Sequence, residues 1–583
     1  MSFVRILSSR PLLLAVGFGA LALVLRIVAA CSNNLYAMTD QVGYLTDGLL
    51  LLEGLPLGYK HTPNAVMNWL VFFYAGAQTA AAWLGGGWEP SVPALLRPLL
   101  ALERVLFANY ADLGDLRRMV VVLQVAVGTL AAAGVAWRGY TLAGTAGALL
   151  GGALAAATPI FVEFTAQTKA YSFAWSFAML AFVAASTARR PWRAAISGGL
   201  MGVALATRVE MGLALVPLLI ELMQREEDTG RRRVVLVQAL SAAIVVFLLM
   251  APWYVTSLAG NLRQIISVRL LNQATEQGAT MTAVQTLVLT GVGLPILGSI
   301  LALLLAPRSD RAYAIAIGLW MALLTVLALK PSTGGLRHDG ALLLLASVMA
   351  PMALSQVVAG LARWRSYAPV ALASLLAFHV TVVGGSSVWA YWRDSVTGDM
   401  VAWIEGNVPA GTTVYWSDGF KVPLPTTGAA DALWEEVAGL EASRVKFRRA
   451  MQRMDLGVRQ PHAMAEDAVQ LDRAMRRGWF ILGAPVDTVR PRYNVRPVGA
   501  GSPFGVSHRP GQKQVGAQPP DNGAGLDQVV DNLCAEGGAF GYYGSPWANL
   551  GKPTVFWPPA SGRKMAMIIY VFPPVPPGGP KNC

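Results

Sequence analysis

Between Cys31 and Trp69, an otherwise apolar chain concentrates Asp40, Tyr44, Asp47, Tyr59, Lys60 and His61. Ionisable groups kept beside apolar spans are costly there, which points to function. A carboxylate such as Asp40 at a loop-to-helix junction is held ionised by the helix dipole and can accept the proton of an attacking hydroxyl. Asp47 lies about two turns along the same helix, too far to share a reacting centre with Asp40. Single displacement with inversion is therefore favoured over a retaining route, which needs two close carboxylates. If the group displaced is a phosphate, as the resemblance given below implies, it needs positive charge. Lys60 offers a point charge, Arg337 a planar fork that can grip two phosphate oxygens, and His338 a hydrogen bond. Arg208, between two short apolar runs, can join them if those runs end on the same face. Tyr44 and Tyr59 are candidate substrate contacts or members of an interfacial aromatic belt. Asp40 and His61 would give a mixed oxygen and nitrogen site for a divalent cation such as Mg or Mn, although two ligands do not define an ion.

Several elements must position these groups. Leu45, Leu49, Leu50 and Leu52 fall on one helical face, so the spacing predicts an amphipathic surface helix over Asp40–Glu53, with Thr39 as N-cap and Gly54 as terminator. Pro56 and Gly58 then turn the chain, and the segment Tyr59–Pro63 can fold back so that His61 approaches Asp40.

The surrounding chain is that of a polytopic membrane protein: 583 residues, 54% hydrophobic and 14% charged. About eleven spans satisfy the roughly 20-residue requirement. They lie near 11–31, 116–137, 141–162, 170–188, 194–207, 209–224, 234–252, 284–306, 311–329, 339–360 and 367–387. No cleavable signal peptide is expected, because the first apolar run is long enough to remain as a span. Ala65–Leu84 is apolar enough to be counted but is kept out as a juxtamembrane or re-entrant helix, because counting it would invert everything downstream. With that choice Arg138, Arg189, Arg190, Arg193, Arg225, Arg231–Arg233, Arg308, Arg311, Arg363 and Arg365 all fall on one side, the cytoplasmic one. Topology thus explains much of the formal charge of +13, and nucleic acid is not expected as a partner. Glu163 and Lys169 flank an outer turn and read as a solvated pair.

After Gly385, proline, glycine and charge rise. Residues 388–583 are expected to form a small extracytoplasmic α/β domain, with helices over 399–406 and 463–478 and strands at 412–416, 479–482 and 565–572. A loop near 498–526 and a proline-rich tail complete it. A bridge between Cys534 and Cys583 is possible in an oxidising compartment. Residues 1–387 make the membrane domain, with outer-loop helices at about 40–84.

Several motifs, in order, resemble a known family. Leu25-Arg26 ends the first span, followed by Asp40-Gln41-x-x-Tyr44, Leu52-x-Gly54-x-Pro56 and Tyr59-x-His61-x-Pro63. Downstream come Thr158-Pro159, Thr207-Arg208, Pro252-Trp253-Tyr254, Arg337-His338-Asp339, and Trp403-Ile404 with Val408-Pro409-x-Gly411. This order resembles GT-C-fold membrane glycosyltransferases that use polyprenyl-phosphate sugars, a group including protein O-mannosyltransferases and lipid A aminoarabinose transferases. The resemblance implies an inner (plasma) membrane protein with a polyprenyl-phosphate sugar donor. Its acceptor would be a glycan, lipid or protein, and Asp40 would act at that acceptor. It also implies a metal- or phosphate-binding turn before the proline. The family's Asp-Glu pair reads Asp40-Gln41 here, and His61 stands where some members are acidic.

Two other classes share the spans. A transporter or flippase of lipid-linked sugars predicts charges and broken helices at mid-membrane depth. A non-enzymatic envelope-assembly protein predicts that Asp40 is dispensable.

Overall fold

The computed structural model describes residues 10–31, 37–54, 63–86, 92–111, 114–166, 168–186, 191–226, 228–256 and 367–393, together with 406–407, 414–416, 420–421, 479–485, 493–494, 516–517, 554–556 and 567–572. The expected spans at 284–306, 311–329 and 339–360 lie outside these residues. So do Tyr59, Lys60, His61, Arg337, His338, Cys534, Cys583 and the helix expected over 463–478.

The chain divides into two units. The first draws on Met1–Cys31, Glu53–Val71 and Arg117–Trp389, the second on Ser32–Leu52, Phe72–Leu116 and Ala390–Cys583. Among the described residues, the helices long and apolar enough to cross a membrane are Arg10–Ala30, Gly114–Ala157, Gly230–Met250 and Pro369–Ser386. Helix Ala65–Gly85 does not meet that measure.

In the first unit, helix α1 (Arg10–Ala30) is followed, after the loop, by the start of α3 (Ala65–Gly85). The helical run α5 (Gly114–Ala157) is two antiparallel arms, turned at Ala143 and Gly144, where Gly144 has φ 59°. A Cβ on Gly139 or Gly147 would collide with the other's backbone, so glycine at both positions lets the arms touch beside the turn. The two spans expected at 116–137 and 141–162 are these arms. Arg138 departs from expectation. It is no loop residue but is fully buried on the first arm, and it meets Glu221 of α9 (Gly212–Arg225) in a bidentate pair of 2.5 and 2.8 Å. It also donates to Phe182 O at 3.0 Å. A guanidinium so enclosed must be paired, because a lone buried charge is strongly unfavourable.

After Thr158, Pro159 starts the short helix α6 (Pro159–Ala166), followed by α7 (Ala170–Ser186), α8 (Pro191–Thr207) and, past α9, α10 (Thr229–Met250). A Cβ on Gly198 or Gly202 would collide with the carbonyl of Ala239 or Ala243 respectively. The register rises together on both helices, so α8 and α10 are parallel and pack backbone to backbone along a seam of small residues. Asp228 caps α10 by accepting the Gly230 N–H at 2.8 Å. Helix α11 (Pro252–Thr256) follows, and α12 (Ala368–Arg393) closes the described part of the unit, its Gly384 lying against Ala157.

The second unit holds α2 (Thr39–Leu52), close to the amphipathic helix expected there, and Gly54 just beyond it has the left-handed φ of 70° of a terminator. Tyr44 and Asp47 on this helix are buried. In α4 (Arg97–Ala111), Asn109 Nδ2 donates to Gln78 Oε1 at 2.8 Å. Strand β1 (Ala37–Met38) pairs antiparallel with β3 (Phe420–Lys421). A mixed four-stranded sheet runs β2 (Val414–Trp416), β4 (Trp479–Pro485), β8 (Met567–Phe572), β7 (Thr554–Phe556). β2 is parallel to β4, and the other two pairings are antiparallel. Strands β2, β4 and β8 overlap the strands expected at 412–416, 479–482 and 565–572. β5 (Tyr493–Asn494) and β6 (Gly516–Ala517) form a further pair.

Candidate functional site

At one end of the first unit, three chain corners meet. The loop between α1 and α3 leaves through Pro63 and Asn64. Asn64 has a left-handed φ of 45°, and its N–H donates to Thr207 O at 3.2 Å, the residue before Arg208. Pro63 O accepts from Asn68 Nδ2 and from Trp253 Nε1, both at 3.3 Å. Trp69 Nε1 donates to Met250 O at 2.8 Å, and the Trp69 and Trp253 ring centres are 5.9 Å apart. The Tyr59–Pro63 motif, Thr207-Arg208 and Pro252-Trp253-Tyr254 are thus joined at their ends. Lys60 and His61 immediately precede this joint in sequence.

Arg208 is where α8 ends. Its N–H still donates to Ala204 O at 2.8 Å, but its backbone is extended, with φ −148° and ψ 115°, which turns the side chain out of the helical row. The guanidinium carbon lies 3.6 Å from the centre of the Tyr171 ring, and the residue is 3% exposed. Tyr171, Phe164 and Trp175 form a continuous aromatic bed, with Phe164 and Trp175 stacked at 5.2 Å and 14°. Lys169 Nζ lies 5.5 Å over Phe164 and the residue is fully buried, so the solvated pair expected of Glu163 and Lys169 gives way to a lysine enclosed in the bundle. Its carbonyl accepts from Gln124 Nε2 at 2.7 Å and from the Ser172 N–H at 3.0 Å. Contacts of a cation with a ring face contribute about 0.5–2 kcal/mol each.

Two further features mark this end as strained and polar. Asn64 and Thr168 are the described non-glycine residues with positive φ, and Thr168, at φ 53°, adjoins Lys169 as Asn64 adjoins Arg208 through Thr207. Such conformations cost on the order of 1–3 kcal/mol and persist at sites whose surroundings force them. Among the described residues, Gln124 Oε1, Thr168 Oγ1 and Trp175 Nε1 are buried without a hydrogen-bond partner. Burial and, second, the Glu210 carboxylate push the Tyr254 phenol above its ordinary value near 10.0, so it stays a hydrogen-bond donor.

The expected residues are thus distributed unevenly. Arg208 stands in the cluster. Asp40 sits in the first turn of α2 and Tyr44 one turn on, while the side chain of Asp40 lies outside the described atoms. No group of three or more His, Cys, Asp or Glu gathers among the described residues, and the metal expectation falls on Asp40 and His61, beyond them. Gln124 and Tyr171 were not singled out in the sequence, and Lys169 was read only with Glu163 as a solvated pair. The available signal was a lysine interrupting the apolar run from 159 to 186.

No protein-family model matches the chain, and no curated protein matches it in sequence. Solved structures do. The oligosaccharyltransferase of Archaeoglobus fulgidus in its apo form is 14% identical, with a TM-score of 0.39 over 69% of this chain, which spans 59% of that protein. ArnT from Cupriavidus metallidurans bound to undecaprenyl phosphate is 12% identical, with a TM-score of 0.44 over 95% of this chain and 97% of that one. Its apo state is 13% identical, at 0.44 and the same coverage. These are GT-C-fold glycosyltransferases, the kind the sequence motifs resemble. Likeness at this level assigns no activity, which rests on the residues of this chain.

Proposed function

We propose that this protein is a membrane glycosyltransferase. It moves a sugar from a polyprenyl-phosphate donor to an acceptor hydroxyl of a glycan, lipid or protein, at the extracytoplasmic face of the inner membrane and with inversion. The observation that carries this is the junction of the outer-loop exit with Arg208, where two buried cations, Lys169 and Arg208, lie over one aromatic bed. Positive charge placed where phosphate charge develops is usually the largest catalytic contribution.

In the reaction, the acceptor oxygen bonds to the anomeric carbon as the bond from that carbon to the phosphate oxygen breaks. The hydroxyl proton passes to Asp40, and the polyprenyl phosphate leaves with the bonding pair. Arg208, Lys60, Arg337 and His338 are assigned to the phosphate, and Tyr44 and Tyr59 to substrate contacts. Asp40 and His61 would hold a Mg or Mn ion if one binds, and no step is routed through it. Residues 388–583 are assigned to an extracytoplasmic domain on the acceptor side.

Buried charge in the bundle also fits a carrier of lipid-linked sugars. Turnover separates the two. Purified protein given a panel of radiolabelled polyprenyl-phosphate sugars should release free polyprenyl phosphate and label an acceptor. Asp40→Asn should abolish this while the protein still inserts. Full turnover by Asp40→Asn removes Asp40 as the base, and an absence of turnover with every donor favours transport or assembly.

A further inference from the structure

The cluster around Arg208 hangs from a helix break, and Arg26 is built into that break. Pro159 has no N–H, so the carbonyl of Ala155, four residues back, loses its helical donor. The arm also ends at Ala157, which leaves the Ala156 carbonyl at a helix terminus. Arg26 Nη2 donates to Ala155 O at 3.1 Å, and Nη1 donates to Ala156 O at 3.2 Å and to Ala22 O of its own helix at 3.3 Å. Arg26 is 3% exposed, and its neighbours Leu25, Ala29, Leu154 and Ala157 belong to one apolar cluster. Carbonyls at such a place cannot turn to water. Gly128 makes the room, since a Cβ there would stand 2.8 Å from Arg26 Nε.

Beyond the break, helix α6 packs on α1 and carries Phe161 and Phe164 against Trp175. Phe164 also meets Tyr171, the ring beneath Arg208. A continuous line of contacts therefore runs from the Arg26 guanidinium to the Arg208 guanidinium.

We propose that Arg26 is a positioning residue for the Arg208 site. By serving the carbonyls at the Pro159 break it sets the direction of α6, and through α6 the aromatic bed on which Arg208 rests. The role rests on the proposed transfer activity only for its kinetic readout.

The test compares the full-length parent, Arg26→Met, Pro159→Ala and the double variant, purified from membranes. Arg26→Met should lower kcat roughly tenfold to a hundredfold with KM nearly unchanged, the scale of a misplaced site. Pro159→Ala returns an N–H to the Ala155 carbonyl, so the double variant should regain most of the lost turnover. A general packing defect would not give that non-additivity. A second readout needs no turnover. Thr168→Cys is introduced where Cys31, Cys534 and Cys583 are serine, and thiol labelling is followed. Thr168 is fully buried, so labelling should be slow in the parent and about tenfold faster with Arg26→Met, as local opening increases.

Parent-like kcat and labelling in Arg26→Met overturn the proposal, as do losses that merely add with Pro159→Ala. If Arg26→Met does not accumulate, Gly128→Ala crowds Nε with the arginine in place. It should produce the same fall in kcat and rise in labelling, and parent-like behaviour there also overturns the proposal. A parent without transfer activity would count against the proposed function, while labelling would still decide the role of Arg26.

Discussion

Two buried arginines of the first unit sit at different places in the bundle. Arg138 points its fork at the Glu221 carboxylate in bidentate geometry, with side-chain exposures of 0% and 4%. Arg208 rests 3.6 Å from the centre of the Tyr171 ring. Gln124, which holds the Lys169 carbonyl, and Arg138 share one helical arm, 138 − 124 = 14 residues apart, or about 21 Å. The Arg138 guanidinium also lies over a ring, that of Phe182 at 5.7 Å, so a ring contact does not by itself set the two apart. The difference teaches that burial alone does not say what a cation does; its place does, one in an ion pair between helices and the other beside the loop exit.

Substitutions at the two ends should therefore fail differently. Arg208→Ala should cut transfer by roughly a hundredfold to a thousandfold, the scale for removing one group that stabilises developing charge, while stability falls only by the roughly 0.5–2 kcal/mol of the lost ring contact. An equal loss of melting temperature and activity would place Arg208 with Arg138 as a structural cation. Glu221→Gln leaves a guanidinium without its balancing charge and should cost about 3–5 kcal/mol of stability, with turnover per folded molecule unchanged. Replacing both partners, Arg138→Met with Glu221→Leu, should recover most of that stability, measured by thermal unfolding in detergent.

The smallest effect concerns protonation. Burial and then Glu210 raise the Tyr254 phenol, so the folded protein holds this proton more tightly than the unfolded chain. The stability it contributes is fully present below about pH 10 and is lost as pH rises through the raised value. Glu210→Gln should lower the phenol's titration point, read as the phenolate absorbance difference between that variant with and without Tyr254→Phe. An unchanged titration would show that Glu210 does not act on Tyr254.

Much of the helical framework was legible because a run of about 20 apolar residues has few alternatives. Apolar runs anticipated Arg10–Ala30 and Ala170–Ser186, and the break at Thr207-Arg208 showed as a polar pair between two short runs. The pairings were not legible. Arg138 and Glu221 are 83 residues apart, and Arg26 and Ala155 are 129 apart, separations that carry no periodic signal. Arg138 therefore read as a loop arginine, and Arg26 only as part of a motif. Lys169 was visible as a charge in an apolar stretch, but its burial depends on Phe164 and Gln124 arriving from separate helices. Asp40 stood out from its residue type and its place at the start of a helix.

The parallel course of α8 and α10 has a consequence for biogenesis. Two neighbours pointing the same way cannot enter the membrane as a simple hairpin, so residues 208–228 must first travel back across the bundle. A nascent chain halted at Arg225 would still lack Ala239 and Ala243, whose backbone packs on Gly198 and Gly202, so this seam cannot close before α10 is made.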